Sequence, residues 1–172
     1  MATSDNGKHS CFRKFFIDEL KDILWAEQHL AEALPKLADA STSRQLKAAF
    51  EKHTRETEQQ IETLEKVFEL LEERPQAKKC EAMAGLIREA NDIISQTDTD
   101  TYTRDAGLIL AGQKVEHYEI ATYGTLRIFA LHMDEEKVAK LLTEILDNEK
   151  ATDVALTKVA ENHRVNAMAV AE

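Results

Sequence analysis

Glycine and proline are scarce in this 172-residue chain, at five and two residues. Many short strands joined by tight loops need more turn residues than that, so an all-β sandwich or barrel is excluded and long helices are expected. Cysteine is nearly absent: Cys11 and Cys80 stand alone, with no C-x-x-C spacing and no disulfide framework. No apolar run approaches the roughly 20 residues of a bilayer span, and the opening MATSDNGKHS is too polar for a secretory signal. Positive charge is the remaining shortage. Against 32 Asp+Glu stand 22 Lys+Arg, a net charge of −10, and no basic cluster exceeds the pair Lys78-Lys79. A phosphate backbone or an anionic membrane finds no source of attraction there. These absences predict a cytoplasmic protein with neither nucleic acid nor membrane as a partner.

What is present is helical periodicity. From Ser10 to Asp39, Phe16, Leu20, Ile23, Leu30, Leu34 and Leu37 recur at steps of three and four. Pro35 falls inside this pattern and predicts a local loosening near Ala31, whose carbonyl loses its partner. Ser41-Thr42-Ser43 is a capping cluster, after which Leu46, Phe50, Leu64, Val67 and Leu71 mark a second helix up to Arg74-Pro75. A shorter amphipathic pattern from Lys78 to Gln96 predicts a helix within the crossover, closed by the polar run Thr97 to Thr101. A third long helix is expected from Thr103 to Leu131, with Leu108, Ala111, Val115, Thr122, Leu126 and Phe129 inward, and a fourth from Asp134 with Val138, Leu142, Ile145, Leu156 and Val159. Two helix pairs separated by a long crossover predict an all-α fold, an antiparallel four-helix bundle of the ferritin type with an additional short helix between the pairs. Residues 1–9 read as a polar disordered tail, 10–166 as one domain and 167–172 as a second tail.

Every long apolar seam is interrupted near its middle. The first reads Ile23, Glu27, Leu30; the second Phe50, His53, Thr57, Gln60, Leu64, with Glu56 on the adjoining stripe. The third places Glu119 between Val115 and Thr122, with Glu116 and Tyr123 a turn to either side, and the fourth places Glu149 between Ile145 and Thr152, with Asp153 a turn on. One such acid is ordinarily a side chain that snorkels to solvent, and Tyr123 alone would be plain packing. Four interruptions at matching depth converge on one polar layer in an antiparallel bundle. An isolated buried carboxylate costs many kcal/mol and neighbouring acids repel each other, while the seams hold no lysine or arginine at this level. Divalent cations are the remaining counter-charge, and an oxygen-rich cage suits hard metals. Carboxylates three or four apart on helices can bridge two ions about 3.5–4 Å apart. The candidate ligands are Glu27, Glu56, Glu116, Glu119 and Glu149, with His53, Gln60 and Asp153 as further candidates and Tyr123 as a donor beside them. His29, His117, His132 and His163 fall off the layer and read as surface or helix-end residues, and the Glu51-Lys52 run as a solvated face.

The stretches FIDELKDILWAEQHLAEALPKLA, HTRETEQQIETLEKVFELL, KKCEAMAGLI, VEHYEIATYGTLR and TEILDNEKATDVALTKVA resemble the YciE/YciF family of ferritin-like bacterial stress proteins, over about Phe12 to Ala160. The resemblance implies a ferritin-like, rubrerythrin-like dimetal fold, a homodimer and a link to stress response. In the wider superfamily one Glu comes from the first helix, Glu-x-x-His from the second, one or two Glu from the third, and a Glu with a nearby His from the fourth. Glu27, Glu56, Glu116 with Glu119, and Glu149 match these positions. The histidines do not: Gln59 and Gln60 follow Glu56, Thr152 and Asp153 follow Glu149, and the chain contains no Glu-x-x-His. The implied cofactor is a pair of divalent ions, iron favoured, with manganese, magnesium or calcium also suited to so hard a site. The implied activity is oxidase or peroxidase chemistry on dioxygen or peroxide; a non-catalytic helical dimer acting as an interaction module is the alternative. Cage-type iron storage is disfavoured because nothing after the fourth helix resembles a closing helix.

Overall fold

The computed structural model describes residues 10–161 and 165–172; the expected N-terminal tail and His163 lie outside the described residues. Helices account for nearly all of it: α1 Cys11–Ala40, α2 Arg44–Leu70, α3 Glu81–Gln96, α4 Tyr102–His132, α5 Glu136–Glu161 and α6 Val165–Ala171. Four begin with a side-chain cap, Ser10, Ser43, Cys80 and Thr101 accepting from the backbone N–H three residues on, which satisfies a donor that the first helical turn leaves orphaned. The helical backbone runs unbroken through Pro35.

Two helix ends differ from the sequence reading for one reason. Glu72 and Asp134 adopt left-handed backbone, φ 58° each, and Glu73 N–H and Glu135 N–H reach back to the carbonyls of Phe68 and Ala130 at 3.0 Å. This terminal turn ends α2 before Arg74-Pro75 and delays α5 to Glu136. A third difference lies at the C-terminus, where 167–171 is helical rather than a tail. The segment VNAMAVA is rich in helix-favouring residues, Val165 is buried, and the Glu172 carboxylate accepts from Tyr102 N–H and Thr103 N–H at 2.9 and 3.0 Å, capping α4.

The bundle ends are pinned by two buried charges. At one end the Arg13 guanidinium donates to Leu71 O at 3.0 Å and to Glu135 at 2.9 Å, tying the start of α1 to the end of α2 and the α4–α5 turn. At the other, Asp105 on α4 accepts from Thr42 N–H and Ser43 N–H at 2.8 and 2.6 Å, the turn between α1 and α2. Hence α2 and α4 start at the same end, α1 and α5 at the other, and the crossover runs the bundle's length. Helix α3 packs against α1 and α4, held where Tyr118 hydroxyl donates to Asp22 at 3.2 Å and meets Cys80 Sγ at 3.0 Å.

The predicted seams of α1 and α2 are buried throughout. On α4 the stripe past Glu119 passes through Tyr123, Leu126 and Ala130, while Thr122 and Phe129, expected inward, are half-buried. At 3.6 residues per turn, steps alternating four, three, four hold one face, whereas Glu119 to Thr122, following the three-residue step from Glu116, drifts off it.

Candidate metal centre

Glu27, Thr57, Glu116 with Glu119, and Glu149 sit close to the midpoints of α1, α2, α4 and α5 respectively. Because the helices alternate in direction and share their ends, midpoints coincide in height. His53, Glu116, Glu119 and Glu149 each offer a ligand atom within 4.8 Å of the others, all four buried. None of these side chains exceeds 2% exposure.

The polar atoms here are strongly under-satisfied. Both oxygens of Glu116 and of Glu119, one each of Glu27 and Glu149, both His53 ring nitrogens and Gln60 Oε1 are buried without a hydrogen bond. His53 Nε2 lies 3.1 Å from Glu116 Oε1, close enough for charge attraction but off the line of a hydrogen bond. So many orphaned acceptors in one place are rare in folded proteins and call for a counter-ion or protons. The donor set, one imidazole and several carboxylates, fits one or two hard divalent cations.

Burial raises the carboxyls of Glu27, Glu119 and Glu149 well above the usual range, and for Glu27 and Glu119 neighbouring carboxylates add to it. Glu116 is pushed up to about 8, again chiefly by burial, with contact to Glu149 acting against it. A cation binding among carboxyls so raised would compete with protons. Glu27 shares its other oxygen with the fully buried Tyr123 hydroxyl, which donates to it.

The remaining candidates lie around this core. Gln60 donates to Glu149 Oε1 and, at 2.8 Å, to Asn148 Oδ1, so it orients a ligand. Glu56 is half-buried at the edge of the layer and ion-pairs with Lys52; Asn148 Nδ2 donates to it at 2.9 Å and the Thr152 hydroxyl lies 3.5 Å from its other oxygen. Partial burial acts upward on Glu56, but the bonds from Lys52 and Asn148 outweigh it and hold its carboxyl low. Asp153 is half-buried, with Oδ1 3.3 Å from Nε2 of the exposed His117. Two participants escaped the sequence reading. Lys52 belongs to no seam, yet its chain reaches the helix neighbour four residues on; Asn148 is polar next to Glu149, an unremarkable pattern on a helix flank.

Residues 11–169 match the family described as Domain of unknown function (DUF892). The chain belongs to the DUF892 family. Within that frame it is 48% identical over 149 residues to YciF of Escherichia coli, 86% of this chain and 89% of that one. The crystal structure of the E. coli stress protein YciF superposes with a TM-score of 0.85 at 47% identity, covering 89% of this chain and 96% of that one. YcfI from Rhodopseudomonas palustris follows at 0.83 and 34%, covering 91% and 98%. A Xanthomonas campestris protein shares the fold at 0.71 and 24% identity, covering 93% and 95%. Among the described residues no helix is long and apolar enough to cross a membrane.

Proposed function

We propose that the chain is a dinuclear metal-binding protein of bacterial stress response, with Glu27, His53, Glu116, Glu119 and Glu149 holding a pair of divalent cations, iron favoured. The observation that carries this reading is the set of buried, unpartnered carboxylate and imidazole atoms at mid-bundle height. Iron, when bound as a reduced pair, supplies two electrons that with two protons convert one peroxide to two waters. The chain's own contribution is geometric. Glu116 and Glu119, one turn apart on α4, span the cluster, Gln60 fixes Glu149 by donating to it, and Tyr123 keeps a proton on the Glu27 side of the layer. Helix α3 and the packed seams exclude bulk water. Metal analysis of protein purified without chelator, followed by peroxide consumption after anaerobic Fe(II) loading, tests it. Two equivalents of metal with turnover are expected; bound iron without turnover refutes the catalytic part.

That outcome would favour a second reading, a non-catalytic helical dimer. Two site residues are already hydrogen-bonded within the fold, Tyr123 to Glu27 and Gln60 to Glu149, and His53 lies 3.1 Å from Glu116, so protonated carboxyls can serve as a structural layer. A homodimer is proposed under either reading. Phe12 and Phe15 on α1 stand 42% and 49% exposed and pack against Phe129 of α4, the Phe12–Phe129 pair edge-on with centroids 4.9 Å apart. Ile128 and Leu131 extend the apolar surface, and a self-complementary patch closes as a two-fold dimer.

A further inference from the structure

A centre buried to this degree needs a way in for a hydrated ion, and the bundle's seams differ sharply as candidates. The α1–α4 seam is roofed by α3 and lined outside by phenylalanines. The groove of about 750 Å³ between α3 and α4 ends on Tyr118, whose hydroxyl is held by Asp22 and Cys80 and touches no carboxylate of the layer. The α2–α5 seam is polar. A surface cavity of about 200 Å³ opens there at the height of the layer, lined by Glu56, Gln59, Gln60, Thr63, Glu144 and Asn148 among others.

A chain of side-chain contacts leads from the cavity toward the buried cluster. From the surface inward, Lys52 pairs with Glu56, Asn148 donates to Glu56, and Gln60 donates both to Asn148 and to Glu149, itself part of the buried cluster. Gln60 is 4% exposed, and its Oε1 is buried with no partner. Gln60 thus lines the cavity and bonds Glu149 at once, so a rotamer change of this one side chain would open a way between the two. Such flips are fast compared with helix separation.

We propose that this α2–α5 cavity is the portal through which a divalent cation reaches the buried centre, with Glu56 as the outer capture carboxylate and the Gln60–Asn148 pair as its gate. The proposal rests on the metal-centre reading above. It gives a role to Glu56, whose partly exposed carboxylate lines the cavity and pairs with Lys52. A cation meets the Glu56 carboxylate first, then the amide oxygens of Asn148 and Gln60, and only then the buried layer.

The test follows Mn(II) uptake by loss of the free-ion electron paramagnetic resonance signal, using full-length apo protein. The phase belonging to the buried centre is the one that Glu119→Gln removes. Asn148→Ala removes the Gln60–Asn148 latch, leaving Gln60 bonded only to Glu149, and should accelerate that phase by about tenfold, the scale of that one net hydrogen bond, without changing the final stoichiometry. Glu144→Lys reverses a charge at the mouth and should slow it by several fold at low salt, with the difference fading at high salt; Glu32→Lys, on the exposed side of α1, should leave it unchanged. Rates unaltered by Asn148→Ala and Glu144→Lys with full stoichiometry would overturn the portal and leave the metal centre standing. No buried uptake phase in the unsubstituted protein would overturn both.

Discussion

Replacing Glu119 by leucine separates a cation-binding layer from a merely tolerated one. Glu119 is fully buried and neither carboxyl oxygen has a hydrogen bond. An unsatisfied buried polar group costs about 1–3 kcal/mol, and Leu is close enough in size to fill the space. In the cation-free protein the leucine variant should therefore be more stable by roughly 2 kcal/mol. For a domain of this length that raises Tm by about 4–8 °C. A cation at a hundred times its Kd stabilises the unsubstituted protein by about 2.7 kcal/mol, and the variant, lacking a ligand central to the cluster, should lose most of that gain. Calorimetric melts in chelator and in Mn(II) give four values whose order is the prediction: the variant leads without metal and loses the lead with it. If Glu119→Leu melts below the parent in chelator, the carboxyl is compensated within the apo fold. If its Mn(II)-induced rise equals the parent's, Glu119 binds no cation.

The same layer makes apo stability depend on pH in an unusual direction. Folding raises Glu116 from 4.5 to about 8, so its contribution is fully present below pH 4.5 and is lost as pH rises through 8; at about 1.4 kcal/mol per tenfold change in proton concentration this is roughly 5 kcal/mol. Urea unfolding of chelated protein between pH 5 and 9 should show stability falling with pH, while saturating cation flattens or reverses the slope. Tyr123→Phe removes the donor to Glu27 and leaves another orphaned buried oxygen, so thermal melts should show a loss of about 1–3 kcal/mol in the apo protein. Phe15→Glu places a charge in the exposed aromatic patch and should shift the elution volume from dimer to monomer with the circular dichroism spectrum unchanged; a variant that still elutes as a dimer moves the interface elsewhere.

The helices and the polar layer were legible because each residue's position on a helix face follows from counting. Glu27 and Glu149 interrupt apolar runs that need no structure to see, and matched midpoints follow from antiparallel order. What counting could not supply was side-chain reach. Counting put Glu56 on the stripe beside the seam and Gln60 on it, but not that Glu56 would be held by Lys52 and Asn148 while Gln60 bonds Glu149, a choice made by partners on α2 and α5. The helix ends were misread for a related reason: Arg74-Pro75 and the start at Asp134 are strong local signals, but a left-handed residue at Glu72 or Asp134 depends on carbonyls that only the finished helix presents.

The missing histidines bear on which ion the layer selects. Imidazole ligands favour the later transition metals, while carboxylates and amide oxygens favour harder ions. In this chain the second-helix imidazole is His53, one turn before Glu56 rather than after it, and where the superfamily has histidines it carries Gln59 and Gln60 after Glu56, and Thr152 and Asp153 after Glu149. A layer of at least four buried carboxyls with a single imidazole carries more negative charge than two divalent ions leave room to neutralise if every carboxyl ionises together with a bound oxygen ligand. One carboxyl then keeps its proton or the ions move to a higher charge. Tyr123 donates to Glu27 and favours its ionised form, whereas Glu119 has no donor to either oxygen and is the carboxyl that would keep the proton most readily. A histidine-rich site, with fewer acids to neutralise, would not require a retained proton.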